Sequence, residues 1–239
     1  MRQAARTACA LTALSLTALT LSACGGGSGS DSAETSATAS APKQVTPADR
    51  LTKLVITDAD VHGFKVKKPD SDYAFAASRD DVTVDKPACK PVAYALNQLP
   101  LGKPEADLTR DVAQGAYSGV STYVTLTSYA SGEAKSTLAE LSKSVAACGG
   151  GFTAKAKVNT SSYDSVSTEK APSGGDETLA FKSTLAFRGI HHTLRTEAVR
   201  RGDVIAVYFS VNGFAIGQGK PSDAKLPDAV VKAQNAKLG

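Results

Sequence analysis

The chain has 239 residues, with 27 Lys and Arg against 23 Asp and Glu, a formal charge of +4. That balance is too even, and its basic residues too scattered, for a nucleic-acid-binding surface. With 42% hydrophobic residues the chain can build a core, yet nothing after residue 23 supplies the roughly 18–20 consecutive apolar residues of a spanning helix, so no transmembrane helix is expected in the mature protein.

Residues 1–23 read as an export signal. Arg2 and Arg6 supply the positive start, and Ala10, Leu11, Ala13, Leu14, Leu16, Ala18, Leu19 and Leu21 the apolar stretch. That stretch is short for a spanning helix and small residues follow it, as at a cleavage site. Leu21-Ser22-Ala23-Cys24 has the form of a bacterial lipobox: the cysteine thiol takes a diacylglyceryl group, the chain is cut before it, and the new amino terminus is acylated. The alternative is an ordinary secretory signal with an accidental cysteine. One acyl chain anchors marginally and two hold firmly, so a lipidated Cys24 is expected to hold the protein on the outer face of the cytoplasmic membrane. Cleavage removes two arginines and no acids, leaving a formal charge of +2.

Residues 24–45 form the lipidated cysteine and a tether of Gly, Ser, Ala and Thr that cannot build a core; its flexible reach is roughly 25 Å. Residues 46–239 then form one extracytoplasmic domain. Cys9 falls in the signal and Cys24 at the lipid site, which leaves Cys89 and Cys148 in an oxidising compartment. A single bridge is expected there, with two buried free thiols as the alternative.

In chain order, Leu54-Val55-Ile56 reads as a short strand and Asp60–Val66 as a second extended piece. Pro91 suits the first turn of a short helix with Val92, Leu96 and Leu99 inward. Residues 108–114 and 119–128 read as strands; in the second, Val120, Val124 and Leu126 alternate with Ser121, Tyr123, Thr125 and Thr127, the period of a half-buried strand. A long helix runs from Ser131 as N-cap to the Gly149–Gly151 stop, its inner stripe being Ala134, Leu138, Leu141, Val145 and Cys148. Placing Cys148 at the end of that stripe supports the bridge.

Five strands follow, near 153–158, 163–169, 177–187, 190–200 and 203–211, with tight turns at Arg188-Gly189 and Arg201-Gly202-Asp203. Leu179, Phe181, Leu185 and Phe187 share one parity, as do Ile205, Val207, Phe209 and Val211. The opposite faces carry Lys182, Arg188, Tyr208 and Ser210. A flexible loop over 213–220 and a short helix over 227–237, with Val230 and Ala233 inward, close the chain. The pattern predicts an α+β fold: an antiparallel meander with two to three helices packed on one face and the other face partly open. Lys182, Arg188 and Tyr208 are the candidate ligand face.

Catalytic signatures fail on spacing. There is no Gly-x-Ser-x-Gly elbow. Ser167-Thr168-Glu169-Lys170 matches Ser-x-x-Lys, but on a strand positions three apart face opposite sides. His191 and His192 are adjacent on a strand and cannot share one metal ion without a bulge, and the other histidine is His62. Gly213–Lys220 lacks the glycine and Ser/Thr positions of a P-loop. Asp80-Asp81 and Asp176-Glu177 read as turn residues. The residues point to a non-catalytic protein without cofactor or metal.

Several segments in order resemble the PknH-like extracellular domain of actinobacterial lipoproteins: Leu54–Thr57 running into Asp60–Val66, Cys89-Lys90-Pro91-Val92-Ala93, the helix ending in Cys148 with Phe152 after it, Gly175–Phe181, and Val199–Val207. The resemblance implies an antiparallel sheet with packed helices, disulfide stabilisation, and a cleft for an extracellular ligand; it carries over no catalytic residue. The chain departs from the kinase-borne version in having no kinase motifs and one cysteine pair rather than two. A sensor-like lipoprotein that binds a small molecule, lipid or envelope protein is the expected function, with a protein-docking lipoprotein or an extracytoplasmic hydrolase as alternatives.

Overall fold

After Gly151 the alternation of apolar and polar residues is realised as a meander of long strands. In the computed structural model, which describes residues 45–239 apart from 72–73, 116–118, 158 and 173, β5 (Phe152–Ala156), β6 (Asn159–Glu169), β7 (Glu177–Phe187), β8 (Ile190–Arg201) and β9 (Val204–Asn212) pair antiparallel in sequence. The expected turns at Arg188-Gly189 and Arg201-Gly202-Asp203 join β7 to β8 and β8 to β9. β3 (Ala106–Ala113) and β4 (Val120–Ser128) form the preceding hairpin, and β4 pairs with β9. Short strands close both edges, β1 (Lys65–Lys67) on β3 and β2 (Val82–Val84) on β5. The order is β1-β3-β4-β9-β8-β7-β6-β5-β2, and β10 (Ser222–Ala224) runs parallel to β8 beside His192–Leu194. The fold is therefore α+β on a predominantly antiparallel sheet.

Both faces of this sheet are covered. On one face Ile205, Val207 and Phe209 join α2 (Lys90–Ala95) through Val92 and α3 (Glu133–Ala147) through Leu138, Leu141 and Val145. On the other, Val204, Ala206 and Tyr208 join α1 (Pro47–Leu54) through Leu51 and α5 (Asp228–Leu238) through Val230 and Val231. Helices thus pack on two faces rather than one. β4 is buried on both sides, with Val124 and Leu126 toward α1 and Thr125 and Thr127 also shielded, so it is not the half-exposed strand its alternation suggested.

The second helical face is built just ahead of the expected Leu54–Ile56 strand, which does not form: Leu54 is the last residue of a helix. Thr46 accepts a hydrogen bond from the Asp49 amide at 3.1 Å and Pro47 occupies the first turn, so the cap starts a helix that runs to Leu54. Val55 ends it in an extended conformation. The second extended piece is shorter than read: Asp58–Asp60 is a 3₁₀ turn, and pairing begins at Lys65. Residues 213–220 hold a short helix, α4 (Gly213–Gly217), leading to β10, in place of a loop.

α3 starts at Glu133 behind Gly132, one residue later than the Ser131 cap predicted, and its stripe of Ala134, Leu138, Leu141, Val145 and Cys148 is buried as expected. Cys148 is bonded to Cys89, with Cα atoms 5.8 Å apart. Ser144 Oγ donates to the Ala88 carbonyl at 2.7 Å, so two contacts one turn apart fix α3 to the segment entering α2. A Cβ on Gly151 would lie 2.2 Å from the Tyr163 carbonyl oxygen, which is why β5 enters the sheet through a glycine.

One connection sets the site. β1 and β2 lie at opposite edges of the sheet, and residues 68–81 alone join them. This strap crosses the face that carries α2 and α3: Phe75 and Ala76 pack on its core, and Asn159 Nδ2 donates to the Phe75 carbonyl at 3.2 Å.

A candidate ligand cleft

Where the strap leaves β1 it stands away from the sheet and opens a cleft of about 760 Å³, within the roughly 300–1,000 Å³ of ordinary ligand sites. One wall is the strap, at Lys68 and Pro69 and again at Ala74 and Ala76–Asp80. The other is the loop after α2, at Asn97–Pro100 and Pro104. The floor is the consecutive run Asp107, Leu108, Thr109 and Arg110 of β3. Consecutive residues of a strand point to opposite faces, so the cleft meets β3 edge-on.

Local chemistry builds each wall. Pro69 has no N–H to donate to a ladder, so pairing is not carried past it, and β1 stops at Lys67. In the opposite wall Gln98 holds a left-handed φ of 55°, a conformation L-residues adopt at a cost of order 1 kcal/mol. The half of the loop behind it is fixed from inside: Asn97 Nδ2 donates to the Ala93 carbonyl at 2.7 Å, and Tyr129 Oη donates to the Leu101 carbonyl at 3.1 Å. Burial raises the Tyr129 phenol well above its ordinary range, so it stays a neutral donor. Tyr163, whose side chain also hydrogen-bonds Asn97, is pushed up to about 12 by burial. Arg79 bridges the walls, donating to the Gly102 carbonyl and lying 5.8 Å over the Tyr94 ring.

The residues expected to form a ligand face do not come together. Lys182 and Arg188 are exposed on β7 and its following turn, with the Arg188 guanidinium 5.0 Å over Phe187. Tyr208 is fully buried beneath α5, where its hydroxyl donates to Asn235 Oδ1 at 2.6 Å. The face that carries it is closed because α1 and α5 pack there, so it cannot be the open surface expected. Cys24 lies outside the described residues.

Other sequence candidates take structural places. His191 is exposed with its Nε2 3.1 Å from Asp164, while His192 is buried with its Nδ1 3.1 Å from Ser222 Oγ, so the two do point to opposite sides. Ser167 faces Lys182 across the ladder, and Lys170 lies past the strand end. Asp176 and Glu177 pair with Arg200 at 2.9 and 3.1 Å. Among the described residues no group of three His, Cys, Asp or Glu is placed to hold a metal, and no helix is long and apolar enough to cross a membrane.

Composition and periodicity missed the cleft because its residues come from three separated segments. The readable signals were the breaks: Lys68-Pro69 ending a strand, and Pro100 and Pro104 preventing regular structure before β3.

The architecture is shared with a solved extracellular domain. That of PknH from Mycobacterium tuberculosis superposes with a TM-score of 0.52 at 12% identity, over 82% of this chain and 95% of that one. The protein described as the Rv0999 ortholog from Mycobacterium smegmatis aligns over 74% of this chain and 90% of that one at 10% identity, with a TM-score of 0.35. At these identities the PknH likeness establishes the fold, and the looser second match supports no structural argument. No protein-family model and no curated protein matches the chain.

Proposed function

We propose that this protein is a membrane-anchored extracytoplasmic lipoprotein whose domain binds a ligand without chemically changing it. The observation that carries the reading is the cleft between strap, α2–β3 loop and β3, with mixed apolar and charged lining and walls held by buried hydrogen bonds. A largely preformed concavity with a few polar groups is the ordinary form of a binding site. The fold likeness to an extracellular domain supports an extracytoplasmic setting, and the lipobox form of Leu21–Cys24 supports a lipid anchor.

Native mass spectrometry on the domain recovered from a bacterial envelope tests the reading. Ala77 lines the cleft and is exposed, so Ala77→Trp should fill the space without disturbing the core. A reproducible adduct on the native domain that is lost from A77W is the expected result. An adduct retained by a folded A77W domain would move binding away from the cleft.

A further inference from the structure

β3 is paired on both edges only over part of its length. β4 accompanies it from Ala106 to Ala113, whereas β1 accompanies it only at Asp111–Ala113. Among the described residues no strand lies beside the outer edge of Ala106–Arg110, and Asp107–Arg110 of that unpaired stretch form the floor of the cleft. The direction of its main-chain groups follows from β1. The Val66 amide donates to Asp58 Oδ1 at 2.6 Å and so points away from β3. Alternation in an antiparallel ladder then makes Lys65↔Ala113 and Lys67↔Asp111 the hydrogen-bonded pairs. Two residues further along each time, Thr109 and Asp107 direct their N–H and C=O groups into the cleft. In agreement, the Thr109 carbonyl accepts a hydrogen bond from its neighbour Arg110 at 3.0 Å.

Among the described residues the cations around this edge hold no carboxylate at ion-pair distance, although Arg79 attracts Asp107 at longer range. Lys68, Arg79 and Arg110 form no ion pair among the described residues; Arg79 and Arg110 donate to the carbonyls of Gly102 and Thr109. Elsewhere in the same sheet Arg195 and Arg200 each hold two carboxylates: Arg195 holds Glu169 and Asp223, and Arg200 holds Asp176 and Glu177. Asp80 and Asp107 also line the cleft, so the surplus is modest and local.

We propose that the cleft accepts an extended segment of a partner protein as an added β-strand against Asp107–Arg110, with carboxylate side chains of that segment set against Lys68, Arg79 and Arg110. The proposal rests on the reading of the cleft as the binding site and specifies what it takes. Strand addition draws affinity from main-chain hydrogen bonds and specificity from alternate side chains. Walls from the strap and the α2–β3 loop flank the edge, which favours a single extended segment over the broad margin of a second copy's sheet.

The test selects a phage-displayed random heptapeptide library on the full-length protein in detergent. Selected peptides should combine Asp or Glu with strand-forming residues and bind about tenfold or more weakly to an Arg79→Ala/Arg110→Ala variant, as expected for lost charge-assisted bonds. Because that variant alters a wall, a second measurement leaves the protein untouched: N-methylating alternate amides of a selected peptide should abolish binding in one register and spare the other. Bound peptide should also slow hydrogen exchange at the Asp107 and Thr109 amides. Equal tolerance of both methylation registers, absence of acidic residues, or no selected peptide at all would overturn strand addition. If A77W still loses a native adduct in those cases, the cleft reading survives alone. Peptides that bind folded A77W unchanged would sink both.

Discussion

Glu197 of β8 and Tyr208 of β9 stand opposite each other across the ladder, beneath α5, and both are buried. Among the described residues Glu197 Oε1 has no hydrogen-bond partner, and burial, with the nearby Asp228 carboxylate, pushes its carboxyl up to about 7. The Tyr208 hydroxyl turns instead to Asn235. A buried acid with an incomplete shell is tolerated by staying protonated.

That arrangement gives stability a defined pH dependence. Below the ordinary glutamate range both folded and unfolded chains hold the proton and the site is neutral in its effect. Between about 4.5 and about 7 the unfolded chain loses the proton first, so stability falls as pH rises and then levels off. Glu197→Gln should therefore stabilise the domain at pH 8, by up to ~3 kcal/mol, and leave it nearly unchanged at pH 4. Urea midpoints of the two proteins at both pH values check this; an equal difference at pH 4 and pH 8 would show that ionisation is not the cause.

The Cys89–Cys148 bond closes a loop with a sequence separation of 59 between two buried elements. Reducing it, or replacing both cysteines with Ala, should cost about 3–4 kcal/mol in the chain-entropy account. Denaturant unfolding with and without reductant measures the loss. Alkylation of the unfolded, unreduced domain should add no mass at either cysteine.

Gly102 carries a φ of 55°, and a Cβ placed there would lie 2.5 Å from Thr137 Oγ1 on α3. Gly102→Ala should destabilise the domain by about 1–3 kcal/mol through strain and overpacking. Adding Thr137→Ala should restore the overpacking part and leave the backbone part. Thermal or urea melts of the single and double variants separate the two contributions.

If the lipid anchor is as proposed, Cys24→Ala should release the protein from membranes into the soluble fraction. Fractionation of cells expressing the variant decides it, and undiminished membrane retention would argue against lipidation.

The meander was legible because β7 and β9 carry period-two apolar sets and turn residues mark both ends of β8 between them, and tertiary packing only reinforces that pattern. α1 was not, because the β-branched pair Val55-Ile56 outweighed the Thr46-Pro47 cap and the single buried Leu51. The closed second face was hidden by its polar residues. Ser210 and Tyr208 look solvent-facing in sequence, yet each is buried with partners, Ser210 with Thr122 at 3.1 Å and with the Lys225 carbonyl at 3.2 Å. Satisfied buried polar groups cannot be told from exposed ones by alternation alone. The cleft depends on where separated loops meet, which no local pattern encodes.

Gln234 of α5 is fully buried, and its amide accepts from the Ile56 N–H at 3.0 Å and donates to the Leu54 carbonyl at 2.9 Å. The last helix thus completes the hydrogen bonding of the first, across 178 and 180 residues of chain. Contacts of such sequence separation form slowly and late. During vectorial delivery of the chain, amino terminus first, the start of the domain must wait for its final turn. A chain cut short before α5 would leave two buried main-chain groups unmatched, so truncated products would be marked for proteolysis at their amino-terminal end rather than at the cut.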